Sequence, residues 1–409
     1  MSSPASEAPP RGVWRRFFSR GKTGRHSALL TCVLALVVLL VRKPHAFFSP
    51  QFFVEDGTVF FLDDHEKGGA ALFEPYEGYL HLIPRLIAAV AGAVRLEFRP
   101  AVYSYGSLLV LISIIFYVQR SRIPVVHKNL LALAIVCVPV GAFIFMHLTN
   151  LHSFTAVLLL VILLQERPAS RRGALLDTAL VLLAGLSGPF CIMFLPLLPL
   201  RWRMHGRSRY EVALACLFIA TAAVQCALLL RTGNAIQASP FANFSFAALH
   251  GFVGKMLLGN RLAEALSPAA LAVIFYVLLV VGIAGLISCD RKLRTPALLV
   301  ALAGVICTAA GLYRADLVLD QADPFKSHIR YFYLPYLMAA WFFLFVSSGR
   351  QPVGRIACGV LGLMLFAALS KFSQSTPRDY HWADYADRIR SGAPVVVPIN
   401  WKGWEIVVN

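Results

Sequence analysis

Apolar runs near residues 27–43, 101–119, 130–147, 152–165, 210–230, 269–288, 296–313, 329–346 and 355–370 alternate with short polar connectors along the chain. Most approach the ~20 apolar residues that a helix needs to cross a hydrocarbon core. A further stretch, ALLDTALVLLAGLSGPFCIMFLPLLPL (174–200), is interrupted at Ser187-Gly188-Pro189 and reads as two short legs hinged by Gly and Pro. The pattern therefore predicts an all-α polytopic membrane protein with about eleven transmembrane helices. HLIPRLIAAVAGAV (81–94) fits this count only as a half-inserted outer helix, its Arg85 snorkelling to the headgroups. The last residues follow another period: WADYADRIR predicts a short amphipathic helix, and PVVVPINWKGWEIVV predicts two strands around a turn at Asn400 to Gly403.

Charge gives the pattern a direction. The basic clusters Arg120/Arg122/Lys128, Arg167/Arg171/Arg172, Arg201/Arg203/Arg207/Arg209, Arg291/Lys292/Arg294 and Arg350/Arg355 all lie in short connectors, as cytoplasmic loops require. The N-terminus is then cytoplasmic and the C-terminus outside. Most of the acidic residues fall on the outer side. RGVWRRFFSRGKTGRH followed by an apolar run resembles a secretory signal, but no small-residue cleavage site follows, which predicts an uncleaved anchor. Three regions result: a basic cytoplasmic tail (1–26), a transmembrane domain (27–370) with a large outer loop (44–100), and a small outer segment (371–409). Long outer connectors are also expected at 231–268 and 314–328.

Composition narrows the chemistry. The chain has 409 residues, of which 58% are hydrophobic and 14% charged, with net charge +17. In a soluble protein that charge would suggest nucleic acid; here it sits in orienting loops, and no nucleic-acid partner is expected. The eight cysteines lie in or beside apolar segments without zinc or redox spacing, so no disulfide framework is expected.

The candidate chemistry gathers outside. Glu55 and Asp56 are adjacent carboxylates among Phe52, Phe53, Phe60 and Phe61. Desolvation and mutual repulsion favour a proton on such a pair, which makes one of them a general base for a sugar hydroxyl; the plain alternative is a solvated acidic pair. Tyr76, Tyr79 and His81 can stack on or hydrogen-bond a sugar, or form an interfacial aromatic belt. Arg85, Lys326, His328 and Arg330 suit a lipid phosphate, or an interface anchor. Asn150 and His152 occupy a short outer turn, in reach of substrate or serving as helix-end residues. DDHE (63–66) resembles a hard-metal cluster but nothing upstream completes a shell, and Asp316, Asp320 and Asp323 either bind a metal or, as the better account, balance the neighbouring cationic residues. Asn243 begins an N-x-S acceptor, and Trp401 and Trp404 offer either a sugar platform or a hairpin core.

The order of these parts resembles the GT-C superfamily of integral membrane glycosyltransferases: one span, a large first outer loop with an acidic pair and a juxtamembrane helix, many short-looped spans, a late basic residue (Arg330) and an outer C-terminal piece. The resemblance implies a polyprenyl-phosphate or pyrophosphate sugar donor, a glycan or lipid-linked acceptor, and inverting transfer on the outer face, in bacteria the periplasmic side of the inner membrane. It makes Asp56 the base, Glu55 its partner, and Arg330 the phosphate clamp, supported by Arg85, Lys326 and His328. No cofactor is required by this reading, though a divalent metal occurs in the wider superfamily. The C-terminal piece is smaller than the soluble domain of many members. A secondary transporter and a lipid-linked glycan polymerase or ligase are the competing readings; the near-absence of mid-span ionisable residues counts against transport.

Overall fold

A helix that is apolar on every side has no face to offer water, and it ends enclosed. The segment LHSFTAVLLLVILL (Leu151–Leu164) is such a helix, and all of its residues are buried. It forms the centre of a helical assembly described, in a computed structural model, over residues 25–125, 127–232, 246–315, 329–349, 352–370, 372–373 and 377–408. The main helices are α1 (Arg25–Arg42), α2 (Leu82–Gly92), α3 (Arg99–Arg120), α4 (Lys128–Cys137), α5 (Leu151–Leu164), α6 (Arg171–Gly185), α7 (Leu198–His205), α8 (Arg209–Arg231), α9 (Phe246–Glu264), α10 (Pro268–Ser288), α11 (Arg291–Ala315), α12 (Ile329–Val346), α13 (Val353–Leu369) and α14 (Trp382–Arg390). Helix α1 packs on α3 and α4, α5 on α3 and α6, and α12 on α11, α13 and α4. At the other extreme, α10 buries only Gly285 and exposes Val273, Val277, Val280 and Ile287.

Four stretches among the described residues are long and apolar enough to cross a membrane: Leu96–Arg120, Arg209–Arg231, Pro268–Ser288 and Arg291–Gly311. Six shorter apolar helices of 10–17 residues accompany them, and together they indicate membrane association. The eleven crossings expected from the apolar runs are more than these four carry by length. One reason is visible at 130–147, where helix stops at Cys137 and irregular backbone follows. The 174–200 stretch is broken as expected, between α6 and a short helix at Phe190–Phe194.

Two expectations are corrected. The connector 231–268 contains α9, whose polar His250, Lys255 and Asn260 are buried rather than exposed; these residues interrupt the apolar run and disguise the helix. Within α9, Gly259 takes φ 75°, a left-handed kink that a side chain would strain. The second correction is Arg85, which does not snorkel: it is 1% exposed, with Nη2 2.8 Å from Asp63 and its guanidinium over the Phe60 ring.

The break after α4 has to satisfy carbonyls that no helix turn and no water reaches. The Arg42 guanidinium does this, donating to the carbonyls of Val136 (2.5 Å), Val138 (3.4 Å) and Val140. Tyr333 Oη on α12 donates to the Ile135 carbonyl at 3.0 Å, and Trp341 Nε1 to that of Leu131 at 3.0 Å. Elsewhere in the bundle, Asp177 accepts from Arg122 (2.5 Å), Tyr210 (2.5 Å), Tyr117 (2.9 Å) and Gln165 (3.0 Å), and Glu211 accepts a bidentate pair from Arg201 at 2.7 and 3.0 Å. These acids tie α3, α5, α6 and α8 together.

The C-terminal piece has the expected form. Strands β1 (Val395–Ile399) and β2 (Trp404–Val408) pair antiparallel in the register Val395↔Val408 to Ile399↔Trp404. Val395, Val397, Ile399, Ile406 and Val408 face the core, whereas Trp401 and Trp404 stay partly exposed and do not form the hairpin core.

Removing Arg42 strands three buried carbonyls, each costing about 1–3 kcal/mol. Arg42→Met is therefore expected to destabilise the detergent-solubilised protein by at least about 3 kcal/mol, read from its thermal unfolding, with Arg42→Lys intermediate; an unchanged melting temperature would refute this account.

Candidate functional site

The stretch FFVEDGTVFF acquires its shape from an unusual backbone. Val54 has φ 45°, a region a β-branched residue occupies at a cost of about 1–3 kcal/mol. Asp56–Phe61 then winds as one wide π-helical turn, closed by the Leu62 amide on the Gly57 carbonyl; such turns recur at functional sites. The C-terminal piece holds this conformation. The Val54 amide donates to the Asn400 carbonyl at 2.5 Å, while the Asn400 side chain bridges the backbone of Arg378 at 2.8 and 3.2 Å. Gly57 permits the close approach: a Cβ there would lie 2.6 Å from Ile406 Cδ1.

This backbone sends the two carboxylates to different partners. Asp56 is 2% exposed; its Oδ1 accepts from the Thr149 amide at 2.9 Å and the Thr149 hydroxyl at 2.8 Å, and its Oδ2 lies 3.2 Å from His147 Nδ1. The other His147 nitrogen, Nε2, is 2.5 Å from Lys43 Nζ, which also donates to the Phe145 carbonyl at 2.6 Å. With Lys43 donating to Nε2, the imidazole proton resides on Nδ1 and points at Asp56. Three donors thus converge on Asp56.

Glu55 is looser and more open. Its side chain is 15% exposed, and Oε1 lies 3.7 Å from Arg330 Nη1 and 3.5 Å from the Tyr76 hydroxyl. Burial raises its pKa; the Arg330 charge pulls it back down, and Asp56 adds a further upward push. Burial and then the Glu55 charge raise the Tyr76 hydroxyl, which therefore remains a donor. Arg330, at the start of α12, is 40% exposed by side chain and lies over the Tyr331 ring.

The aromatic loop completes the cluster. Tyr79 stacks on His81 with ring centroids 4.8 Å apart, Tyr76 lies 5.7 Å from His81, and His81 meets His152 edge-on at 5.9 Å. His81 Nδ1 faces the Tyr79 carbonyl at 3.2 Å and His152 Nδ1 the Thr149 carbonyl at 2.6 Å, so each ring carries its proton on Nδ1. Burial, then the neighbouring His152 and Arg85, hold His81 neutral, well below its ordinary pKa.

Of the residues singled out from sequence, Glu55, Tyr76, Tyr79, His81, His152 and Arg330 form one contiguous cluster, with Asp56 directly behind it. Asn150 is engaged elsewhere, its amide donating to the Phe143 carbonyl at 3.2 Å. Among the described residues, Arg85 forms an ion pair with Asp63 at 2.8 Å, though none of its guanidinium nitrogens makes a hydrogen bond, Asp63 also pairs with Lys67 at 2.9 Å, and no metal-binding group forms. Lys326, His328, Asp316, Asp320, Asp323 and Asn243 lie outside the described residues.

Three contributors went unrecognised in the sequence. His147 and Thr149 sit in an apolar run where nothing links them to Asp56. Gln225, a lone amide in α8, is fully buried: Oε1 accepts from the Leu80 amide at 2.8 Å, and Nε2 donates to the carbonyls of Leu80, Gly185 and Gly188 at 3.1–3.2 Å. It pins the 76–81 loop to the break after α6, and its position as the single amide in an apolar helix was the available signal. No protein-family model, curated protein or solved structure matches this chain.

If Val54 stores backbone strain to aim the two carboxylates, Val54→Gly is expected to stabilise the fold by up to about 1 kcal/mol, because glycine adopts this φ freely. A lower melting temperature for that variant would contradict the strain.

Proposed function

We propose that the chain is an inverting membrane glycosyltransferase that moves a sugar from a polyprenyl-phosphate or pyrophosphate donor to an acceptor hydroxyl, with the reacting groups on the outer face. The observation that carries the reading is the meeting of a partly open carboxylate, Glu55, with Arg330 and Tyr76 beside neutral imidazoles and stacked tyrosines. A leaving phosphate needs a cation where charge develops, and Arg330 supplies a bidentate fork. A hydroxyl nucleophile needs a base with a raised pKa, and Glu55 has one. The buried acids Asp177 and Glu211, fully paired with arginine, give no ion-transport relay, which favours transfer over transport.

The division of labour differs from that implied by the resemblance. Asp56, held by three donors and nearly inaccessible, is better suited to fix the loop and the His147 tautomer, and Glu55 to take the proton. Tyr76 orients the Glu55 carboxylate, and Tyr79 and His81 offer stacking and an Nε2 acceptor to sugar hydroxyls.

Geometry also sets a requirement. In line attack with inversion, base, hydroxyl, anomeric carbon, leaving oxygen and cation span about 10 Å when hydrogen bonds of about 2.8 Å and a near-attack gap of about 3 Å are added along one line. Glu55 and Arg330 rest at 3.7 Å. The donor phosphate must therefore draw Arg330 away from Glu55, and the exposed, long arginine side chain can swing. Loss of that neighbour removes an interaction that lowers the Glu55 pKa, so donor binding itself makes Glu55 a stronger base.

Reconstituted with a radiolabelled polyprenyl-phosphate sugar, the wild-type protein is expected to transfer label, with Glu55→Gln reduced at least about 100-fold and Arg330→Ala reduced by a similar factor. Activity must fall as pH drops through the Glu55 pKa, since only the carboxylate accepts a proton. The acidic limb of kcat is expected at higher pH than that of kcat/KM, because the former reports the donor complex, and Arg330→Ala is expected to raise the limb of kcat/KM. Vesicle uptake without a new glycosidic bond would overturn the transferase reading; a limb unmoved by Arg330→Ala would overturn the coupling.

A further inference from the structure

Behind the acidic pair lies a cleft lined by Lys43, His45, Gln51, Ser104, His147 and Asn400, with room inside for about one water molecule or one oxygen atom of a ligand whose remainder stays outside. Its polar lining is rich in nitrogen donors. Lys43 is 1% exposed and its ammonium has three N–H groups, of which the Phe145 carbonyl and His147 Nε2 take two. Among the described residues no carboxylate forms an ion pair with it; burial pulls its pKa down to about 7, against the upward pull of the Asp56 charge across the His147 ring. His45 is 9% exposed, and both of its ring nitrogens are buried without a hydrogen-bond partner. Burial, then the neighbouring Lys43 and His147, push His45 down to a pKa of about 3, so it is neutral and keeps one N–H to donate.

A buried lysine without an ion-pair partner and a buried imidazole without a hydrogen-bond partner are both costly. The nearby acids are already engaged: Asp56 with Thr149 and His147, and Asp379 with Ser49 and Gln51 at 3.2 Å each. An anionic ligand would relieve both groups at once.

We propose that this cleft is an oxyanion subsite, distinct from the Arg330 position, in which Lys43 supplies the charge and His45 an N–H donor to the carboxylate or phosphate oxygen of a bound molecule. Its location between the acidic loop and the C-terminal hairpin makes it a place where an acidic sugar or a phosphate ester is held by its charged end. The site stands on its own geometry and does not require the transferase reading to be right.

The full-length protein in detergent is titrated at constant ionic strength with inorganic phosphate and, separately, with glucuronate, with chloride as the reference, following heat of binding and melting temperature. Saturable binding of at least one is expected. His45→Leu, which breaks no existing hydrogen bond, is expected to weaken it at least 10-fold, and Lys43→Met to abolish it. Arg330→Ala, which disables the proposed transfer, is expected to leave it unchanged. The phosphate and glucuronate arms tell a phosphate source from an acidic sugar. No saturable binding to the wild type, equal binding by His45→Leu, or loss confined to Arg330→Ala would each overturn the proposal. Should Lys43→Met fail to fold, the His45→Leu comparison decides alone.

Discussion

Backbone that leaves a helix inside an apolar bundle must find hydrogen bonds without water, and the rest of this structure follows from how that constraint is met. The chain breaks at three adjoining places, after α4, after α6 and in the 76–81 loop, and each break is satisfied by one long polar side chain from elsewhere. Arg42 takes the carbonyls after α4, and Gln225 takes those of the other two. Neither residue is free to do anything else. Their reward is irregular backbone at fixed positions, which can present His147, Thr149, Tyr76 and His81 toward one another in ways that an unbroken helix cannot.

The same logic explains why Glu55 and Asp56, adjacent in sequence, differ so much in environment. Asp56 is enclosed by the Thr149 amide, the Thr149 hydroxyl and His147, whereas Glu55 is poorly solvated beside one distant cation, and burial raises its pKa. Asp56 is bound to the 145–149 segment and so couples the loop to the break after α4. Glu55 stays beside an exposed arginine tip at 3.7 Å and a tyrosine hydroxyl at 3.5 Å, contacts of the kind that tighten when a ligand arrives. Structure and reactivity are thus divided between two neighbouring residues by a single left-handed residue, Val54, and the π-helical turn after it.

Much of the helical order was legible because apolar runs bounded by basic residues are strong signals. The C-terminal helix and hairpin were legible too, since WADYADRIR has helical and PVVVPI and WEIVV have strand periodicity. What escaped was a set of polar residues turned inward outside the acidic stretch itself. His250, Lys255 and Asn260 hid α9 by looking like loop residues, and Arg85 looked like a headgroup anchor because its partner Asp63 lies in a separate segment whose packing no local pattern encodes. In the site, the aromatic flanks and acidic pair were visible, and Arg330 was placed among the phosphate-binding candidates. The convergence of Thr149 and His147 on Asp56 was not visible, because it depends on where α4 stops, and the stop at Cys137 is made possible by Arg42, far away in sequence.

The C-terminal hairpin shows how a small appendage can act as part of the site. Its core residues Ile399 and Ile406 rest on Gly57, and its turn residue Asn400 holds Val54 and Arg378, so the hairpin and the acidic loop form one packed unit. The two apolar faces would be exposed if either moved alone, and the hydrogen bond from Val54 would be lost in a place partly closed to water. A rigid lid of this sort cannot open by hinging at the hairpin without unwinding the loop that carries Glu55 and Asp56. For the proposed transfer, the Arg330 side is the approach that leaves the loop folded, since the ion pair there is long and the arginine is exposed.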